Sequence, residues 1–467
     1  MKILFVYPNI VESPKDISTG LGILSAVCRE KGHETFLIDS SFGISDAEIL
    51  ERAKKFNPNL IAVTTATNDF EYACKISNLL KKHLNVPILV GGFHPTIAPE
   101  EVISKECFDI LCIGEGEEAL IELVESLEKK KINKKIKNLW FKDKDNKGEI
   151  KIIKNPLRPL FQNLNKLPFP DRELFDYKKY LEWNHRTFSV ISTRGCPYHC
   201  TYCINHFLTK MYRGKGKYVR FRSVGNLLQE IKQSIKIYQE YIKNIEFYDD
   251  TFTLDKERVK EFCKKYPKEI GLPFNLNVRV NAVDSKMLKS LKKAGCVRVS
   301  IGIESGDYYI RNKILKRNMT DKQIIQTFKE AKEAGLKTYA FNMVGIPFET
   351  KESIKKTIDL NRKCQPDYVG VSIFNAFKGT EIYEICKKNN WLKKDYAKSY
   401  FRESNLNHPN FNISELRRIR NSFGFKVFIS YRPLRALIDL IDRNLSRINS
   451  YIFLRSKIIE KLKLLRK

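Results

Sequence analysis

Short apolar runs recur along this chain, each followed by a segment of helical length and amphipathic pattern. In the first 125 residues the runs read KILFVYP, ETFLID, LIAVTT, PILVGG and ILCIGEG, with GILSAVCREKG, ILERAKKFN and ACKISNLLKKHL between them. A strand that is apolar at every position, not at alternate ones, must be covered on both faces. Helices between such strands supply the cover, so the pattern predicts a parallel sheet wound on both sides. The expected unit is a doubly wound, Rossmann-like α/β domain, whose ligand lies off the carboxyl ends of the strands. The loops at those ends hold Pro8–Asn9, Thr64–Thr67, Gly91–Gly92–Phe93–His94 and Gly114–Glu115–Gly116. Glycine there admits close backbone approach to a ligand, and a tight strand-to-helix turn would use it equally well.

A second alternation runs from about Thr187 to Asn375: FSVISTRG, IEFYDDTF, FNLNVRVN, VRVSIGIESG, TYAFNMVGIPFET and YVGVSIFNAFKGT, with helical segments such as TDKQIIQTFKEAKEAG between them. Six strand ends over that span fit a partial (β/α) barrel of the TIM type, with its motif residues on the carboxyl rim. The expected organisation is a first domain over 1–125, a connector over 126–185, the barrel over 186–385 and a helical, basic C-terminal region over 386–467. The connector holds the basic run EKKKINKKIK, a hairpin around DKDNKGEI and the turn-rich LNKLPFPDRELFDY. A length of 467 residues exceeds what one core sustains, which suits several domains.

No uncharged apolar run reaches about 18 residues, so no spanning helix is expected. The N-terminal run breaks at Pro8 without a small-residue cleavage site and reads as a buried strand. The expected compartment is the cytoplasm, where eleven cysteines mean thiols that are buried, metal-bound or catalytic. Net charge is +30, yet lysines are spread over the whole chain and most of that charge reads as general surface.

STRGCPYHCTYCIN places Cys196, Cys200 and Cys203 at C-x3-C-x2-C spacing after the first barrel strand. Structural zinc wants four closed ligands, and an iron–sulfur cluster is usually held by four thiolates. Three thiolates leave one iron open to an outside ligand. His199 adjoins Cys200, an awkward position for a shared metal. In this context the motif resembles the signature of radical S-adenosylmethionine (SAM) enzymes. The resemblance implies a 4Fe-4S cluster whose open iron takes the amino and carboxylate groups of SAM, with Tyr202 as the aromatic residue usual in the motif. Reductive cleavage then yields a 5′-deoxyadenosyl radical, which the protein positions and shields.

The same likeness implies further contacts to SAM. YDDTF ends the second barrel strand, and Asp249 and Asp250 would accept hydrogen bonds from the methionine ammonium or else open a turn. Arg279 in NVRVN would meet the methionine carboxylate or a structural partner. Ser300 and Glu304 in SIGIESGD match positions beside the ribose, and Gly345 with Ile346 and Pro347 in MVGIPFET match the segment beside adenine. A doubly wound domain ahead of such a barrel, with VGGFHPTIAPEE and GEGEEAL, is similar to the cobalamin-binding class of the family over nearly all of residues 1–400. That implies cobalamin bordered by Gly91, Gly92, His94, Gly114 and Gly116. Many cobalamin domains carry D-x-H-x-x-G after the first strand; YPNIVESPKDISTGLG has Asp16 and Gly20 but no histidine before His33, so cobalt should lack that ligand. His94 is expected near the corrin or as a loop histidine, not as an axial ligand.

The class implies methyl transfer to an unactivated carbon, or to phosphorus, with cyclisation, oxidation and carbon–carbon coupling as alternatives. It further implies a small-molecule or lipid substrate and a reducing partner such as a flavodoxin or ferredoxin. Methylthiolation of transfer RNA fits less well, because Cys28, Cys74, Cys107 and Cys112 do not recreate the extra cysteine triad of those enzymes. Toward the C-terminus, NISELRRIRNSFGFKVFISYRP predicts a capped helix ending before Pro433. Residues 414–467 hold fourteen Lys/Arg against four Asp/Glu, a net +10. Past Pro433 these alternate with apolar residues at helical spacing, which suits a hairpin packed on the barrel or peripheral contact with an anionic membrane at its inner face. A basic nucleic-acid-binding protein with a structural cluster is the reading from another class; no RNA-binding motif supports it.

Overall fold

The computed structural model describes residues 1–10, 16–130, 132–144 and 148–445. Seven strands form the first sheet: Lys2–Tyr7 (β1), Glu34–Asp39 (β2), Leu60–Thr64 (β3), Ile88–Gly91 (β4), Ile110–Cys112 (β5), Leu139–Lys144 (β6) and Ile150–Lys154 (β7). Their spatial order is β2-β1-β3-β4-β5-β6-β7. The first five are parallel, and the switch point of this winding lies between β1 and β3. The hairpin expected in the connector instead extends the sheet, since β6 runs antiparallel to β5 and β7 to β6.

The unbroken apolar runs have a direct cause. Ile3 and Phe5 pack into one core with Leu21, Cys28 and Leu120, while Leu4 and Val6 pack into another with Phe70, Ile76 and Leu80. The four central residues of β1, Ile3 to Val6, are fully buried. Serines start the flanking helices: Ser18 accepts from Leu21 N and Ser45 from Glu48 N, which satisfies donors the first turn leaves free.

The second sheet is open and wholly parallel. It comprises Thr187–Val190 (β8), Asn244–Phe247 (β11), Phe274–Val278 (β12), Cys296–Glu304 (β13), Lys337–Val344 (β14) and Tyr368–Ile373 (β15), in the order β15-β14-β13-β12-β11-β8. A two-stranded ribbon of Thr193–Arg194 (β9) and Arg220–Phe221 (β10) sits at its rim. Alternate residues divide by face. Phe247 and Phe274 pack with Phe262 and Tyr266 of the outer helix. Glu246, Asn275 and Arg298 meet on the other face, where Asn275 Nδ2 donates to Glu246 Oε2 (2.8 Å) and Arg298 Nη2 reaches both Glu246 oxygens at 3.0 Å.

The capped C-terminal helix forms over Ile413–Phe428, with a reciprocal cap between Asn412 and Glu415. It packs Leu416, Phe423 and Val427 on Val369, Val371 and Ile373 of β15. A last helix, Pro433–Leu445, follows; the rest of the expected basic helical region, 446–467, lies outside the described residues. No helix among the described residues is long and apolar enough to cross a membrane.

Polar bonds tie the first sheet to the rim of the second and to the connector before it. Arg194 reaches Glu115 (3.0 Å) and Glu117 (2.6 Å), and Arg220 reaches Glu115 at 2.8 Å. Tyr180 Oη donates toward Asp39 Oδ2 and Ser41 Oγ, both at 2.6 Å, and Asp171 pairs with Arg29 at 3.1 Å. Removing one partner of a buried pair strands the others. Glu115→Gln should therefore destabilise the protein by about 3–5 kcal/mol in urea unfolding; a loss under about 1 kcal/mol would mean that apolar packing alone holds the halves together.

Candidate active site

The cysteine loop leaves β8 and ends at the helix Ile204–Met211. Gly195 has φ +90°, and a Cβ there would lie 2.5 Å from Tyr218 O, so the turn into Cys196 requires glycine. Thr201 anchors the loop through Oγ1 to Ile314 O (2.6 Å). Cys196 and Cys200 are buried and Cys203 half-buried. Burial pushes the Cys203 thiol up to about 11 and raises that of Cys196. Arg279 Nη1 lies 3.5 Å from Cys200 Sγ, and its guanidinium stacks 3.9 Å from the Tyr198 ring centre.

The donor set has the chemistry of a cluster. Among the described residues no three His, Cys, Asp or Glu side chains converge as a single metal ion would require. A cluster that takes one thiolate per iron does not require it. Bound iron would reverse the thiol shifts, since metal coordination deprotonates a thiol outright. The Arg279 guanidinium already offers positive charge beside Cys200, and its Nε is buried with no hydrogen-bond partner among the described residues.

A buried group lies beside the loop. Arg317 donates to Tyr202 Oη (2.6 Å) and Gly302 O (2.7 Å) and lies 3.4 Å from Glu304 Oε1. Burial raises Glu304, against the opposing pull of Arg317. Glu304 has φ +63°, a strained conformation for this residue, at the point where β13 slips register against β14. Arg317 carried no motif signal in ILKRNMT; its partners stand far away in sequence.

The remaining expected residues separate. Asp250 is accessible from the interior cavity and accepts from Asn205 Nδ2 at 3.0 Å. Burial raises its pKa. Asp249 does not stand beside it as a second acceptor. It is fully buried and takes Ser192 N at 3.1 Å and Ser192 Oγ at 2.8 Å, which tethers the end of β8. Ser300 is buried on β13. Gly345 follows β14, and its N–H donates to Glu349 Oε2 at 2.7 Å.

One cavity of about 790 Å³ joins the carboxyl ends of both sheets. From the first sheet come Tyr7, Asp16, Thr64, Asp69, Gly91, Gly92, Phe93, Gly114 and Gly116; from the barrel side come Arg194, Gly195, Asn205, Leu208, Tyr212, Tyr248 and Asp250. Gly92 has φ +109°, and a Cβ would meet Thr65 O at 2.7 Å. Burial lifts Asp69 to about 6. His94 is not on this wall. It is fully buried behind it, 4.2 Å from the Phe70 ring centre and 3.2 Å from Thr67 Oγ1, and burial pulls it down to about 4. The neighbouring Phe93, 60% exposed, faces the cavity in its place.

Glu349 gives a pH test of this framework. It is fully buried, caps Gly345 N and Ile346 N, and is pushed up to about 8 by burial. Between an ordinary value near 4.5 and about 8, the folded chain keeps a proton that the unfolded chain has lost. Stability from this group falls as pH rises through that window, by up to about 1.4 kcal/mol per unit, and levels off above it. Glu349→Gln keeps an acceptor and removes the fall. Urea unfolding at pH 5 and pH 8 should show the variant gaining on the parent; parallel pH curves would refute the assignment.

Family models match two segments: residues 16–124 fit a B12 binding domain and residues 190–360 the radical SAM superfamily. An uncharacterized methyltransferase of Pyrococcus horikoshii, PH0819, is 32% identical over 402 residues, with 84% of each chain covered. An anaerobic magnesium-protoporphyrin IX monomethyl ester cyclase of Rubrivivax gelatinosus is 22% identical, covering 82% of this chain and 70% of its own. In fold, the chain is similar to the radical S-adenosylmethionine methyltransferase TsrM of Kitasatospora setae, solved with cobalamin and a [4Fe-4S] cluster. The TM-score is 0.68 at 18% identity, with 84% of this chain and 76% of that one covered.

Proposed function

The chain belongs to the radical SAM superfamily, among its members that carry a B12-binding domain, and from that footing we propose that it methylates an unactivated carbon, or phosphorus, of a small-molecule or lipid substrate. The observation that carries the proposal is the cavity shared by the carboxyl ends of the two sheets. Gly195, Ile204 and Asn205, which flank the cysteine loop, line it opposite the loops of the first sheet, so ligands held on the two sides would lie close together, and reacting groups need that proximity.

In this reading Cys196, Cys200 and Cys203 hold a 4Fe-4S cluster, and Tyr202, Asp250, Arg279, Ser300, Glu304 and Gly345 surround SAM. Gly91, Gly92, Gly114 and Gly116 border cobalamin, joined by Phe93. When bound, these groups supply an adenosyl radical and a transferable methyl group. Arg279 offsets the thiolates' negative charge, and Arg317 holds Tyr202 and Glu304 in place. Asp250 offers an acceptor to an ammonium group. Leu21, Leu24, Ile204 and Leu208 on the walls limit water, which would quench reactive species.

A low-potential reductant such as a flavodoxin or ferredoxin would supply the electron, and reduced thiols and such a donor suit the cytoplasm. Ring closure is the second reading, favoured by the relative that is a cyclase. Product mass separates the two: a gained methyl supports transfer, whereas loss of hydrogen without it supports cyclisation.

Anaerobic reconstitution with iron, sulfide and hydroxocobalamin tests the division of labour. Cys200→Ala should reduce SAM cleavage to background and leave corrin retention unchanged. Gly92→Val should lose corrin by at least about tenfold through its steric clash while SAM cleavage persists. If Gly92→Val retains corrin in full, the first sheet's loops do not form the cobalamin seat.

A further inference from the structure

The helix Pro433–Leu445 is docked the reverse way round. Ala436 and Asp439 face the protein, and Arg443 donates to Asp439 Oδ2 (2.7 Å) and Val369 O (2.6 Å). Contact with the preceding helix is close: a Cβ on Gly424 would stand 2.0 Å from Asp439 Oδ2. On the opposite side Leu434, Leu437, Ile438, Ile441 and Leu445 are 73%, 51%, 42%, 48% and 36% exposed. Their spacing is that of one helical stripe. Ile429, 41% exposed, stands at the turn before it. An ordinary surface helix turns such a stripe inward, and an apolar row set outward marks a contact surface.

We propose that this stripe seats the protein on an anionic lipid surface. The charge of the region selects that occupant. Residues 414–467 carry a net +10, and the sequence after Leu445 adds seven Lys/Arg against the single acid Glu460 within that sum. A second copy set against the stripe would bring two positive regions together, whereas anionic headgroups neutralise both charge and apolar exposure. Nucleic acid has the matching charge but offers no counterpart to five aliphatic side chains in a row. An amphipathic helix in the plane of the bilayer buries its apolar face at the headgroup boundary without spanning it. The proposal goes beyond the reaction and stands whether methyl transfer or ring closure occurs in the cavity.

The test uses the full chain with phosphatidylcholine vesicles, with or without phosphatidylglycerol at about one third of the lipid. Sedimentation should show binding to the anionic vesicles at least about tenfold tighter than to neutral ones, weakening as salt rises. The double variant Leu437→Ser, Ile441→Ser should lose about tenfold or more of that binding. Its circular dichroism and SAM cleavage should be unchanged, because both side chains are exposed and distant in sequence from the cysteine loop. Failure of the intact protein to sediment with anionic vesicles would overturn the proposal. Undiminished binding by the double variant would do the same, as would a dimer in gel filtration that the double substitution disperses.

Discussion

The carboxylate of Glu115 sets the relation between the two sheets. It stands in the loop after β5, at the carboxyl edge of the first sheet, and takes guanidinium groups from β9 and β10 at the rim of the second. Apolar packing joins the halves as well, since one core runs from Phe5 and Leu21 to Tyr177 and Phe188. Packing has no direction, however, and would tolerate small rotations. A carboxylate shared by two arginines does not, because each bond needs its own geometry. Against apolar replacements such a pair adds little net stability. Its contribution is orientation: it forms only when the two carboxyl rims face each other. Tyr180 with Asp39 and Asp171 with Arg29 fasten the connector that leads into β8 to the first domain.

Electrostatics inside the cavity point the same way. Burial raises Asp16, Asp69 and Asp250 together, so the protein alone leaves several carboxyl groups with less positive charge than they would use. On the barrel side, Arg279 and Arg317 each leave a buried Nε without a partner among the described residues. Buried polar groups are ordinarily satisfied, so each of these nitrogens is a donor that a ligand would complete. The left-handed backbone of Glu304 belongs to the same pattern, as strain persists where surrounding contacts hold a side chain in a required place.

The layered architecture was legible because burial on both faces leaves an unbroken apolar run, as Ile3 to Val6 show. The cysteine triplet was legible because its spacing is local. What the sequence did not disclose was the choice among distant partners. Asp249 and Asp250 look equivalent in YDDTF, yet alternate backbone direction sends one to Ser192, 57 residues away, and the other into the cavity. His94 and Phe93 are likewise neighbours on opposite sides of one turn, and the aromatic residue takes the cavity wall. Arg317 reaches Tyr202 across 115 residues, a pairing that no local pattern encodes. The hairpin of β6 and β7 was visible as a hairpin, but its attachment to β5 rests on an edge left unpaired by the parallel winding.

The two walls of the cavity differ in kind, and the difference follows from what each would hold. On the first sheet's side the small residues Thr64, Gly91, Gly92, Gly114 and Gly116 stand beside apolar side chains such as Phe5, Leu21, Leu24 and Phe93, with Asp16 and Asp69 among them. Such a wall suits a broad, largely uncharged ring system that must come close to the main chain. The barrel rim lines the cavity with Arg194, Asn205 and Asp250 and holds the thiols and the buried guanidiniums of Arg279 and Arg317 outside that lining. That wall suits a small zwitterion beside an anionic cluster, where each charge needs an opposite within hydrogen-bond reach. Placing both sets in one sheet would force charged side chains into the space a flat macrocycle needs. Two sheets set rim to rim separate the tasks and keep the reacting space between them, with the Glu115 bridge fixing the distance across it.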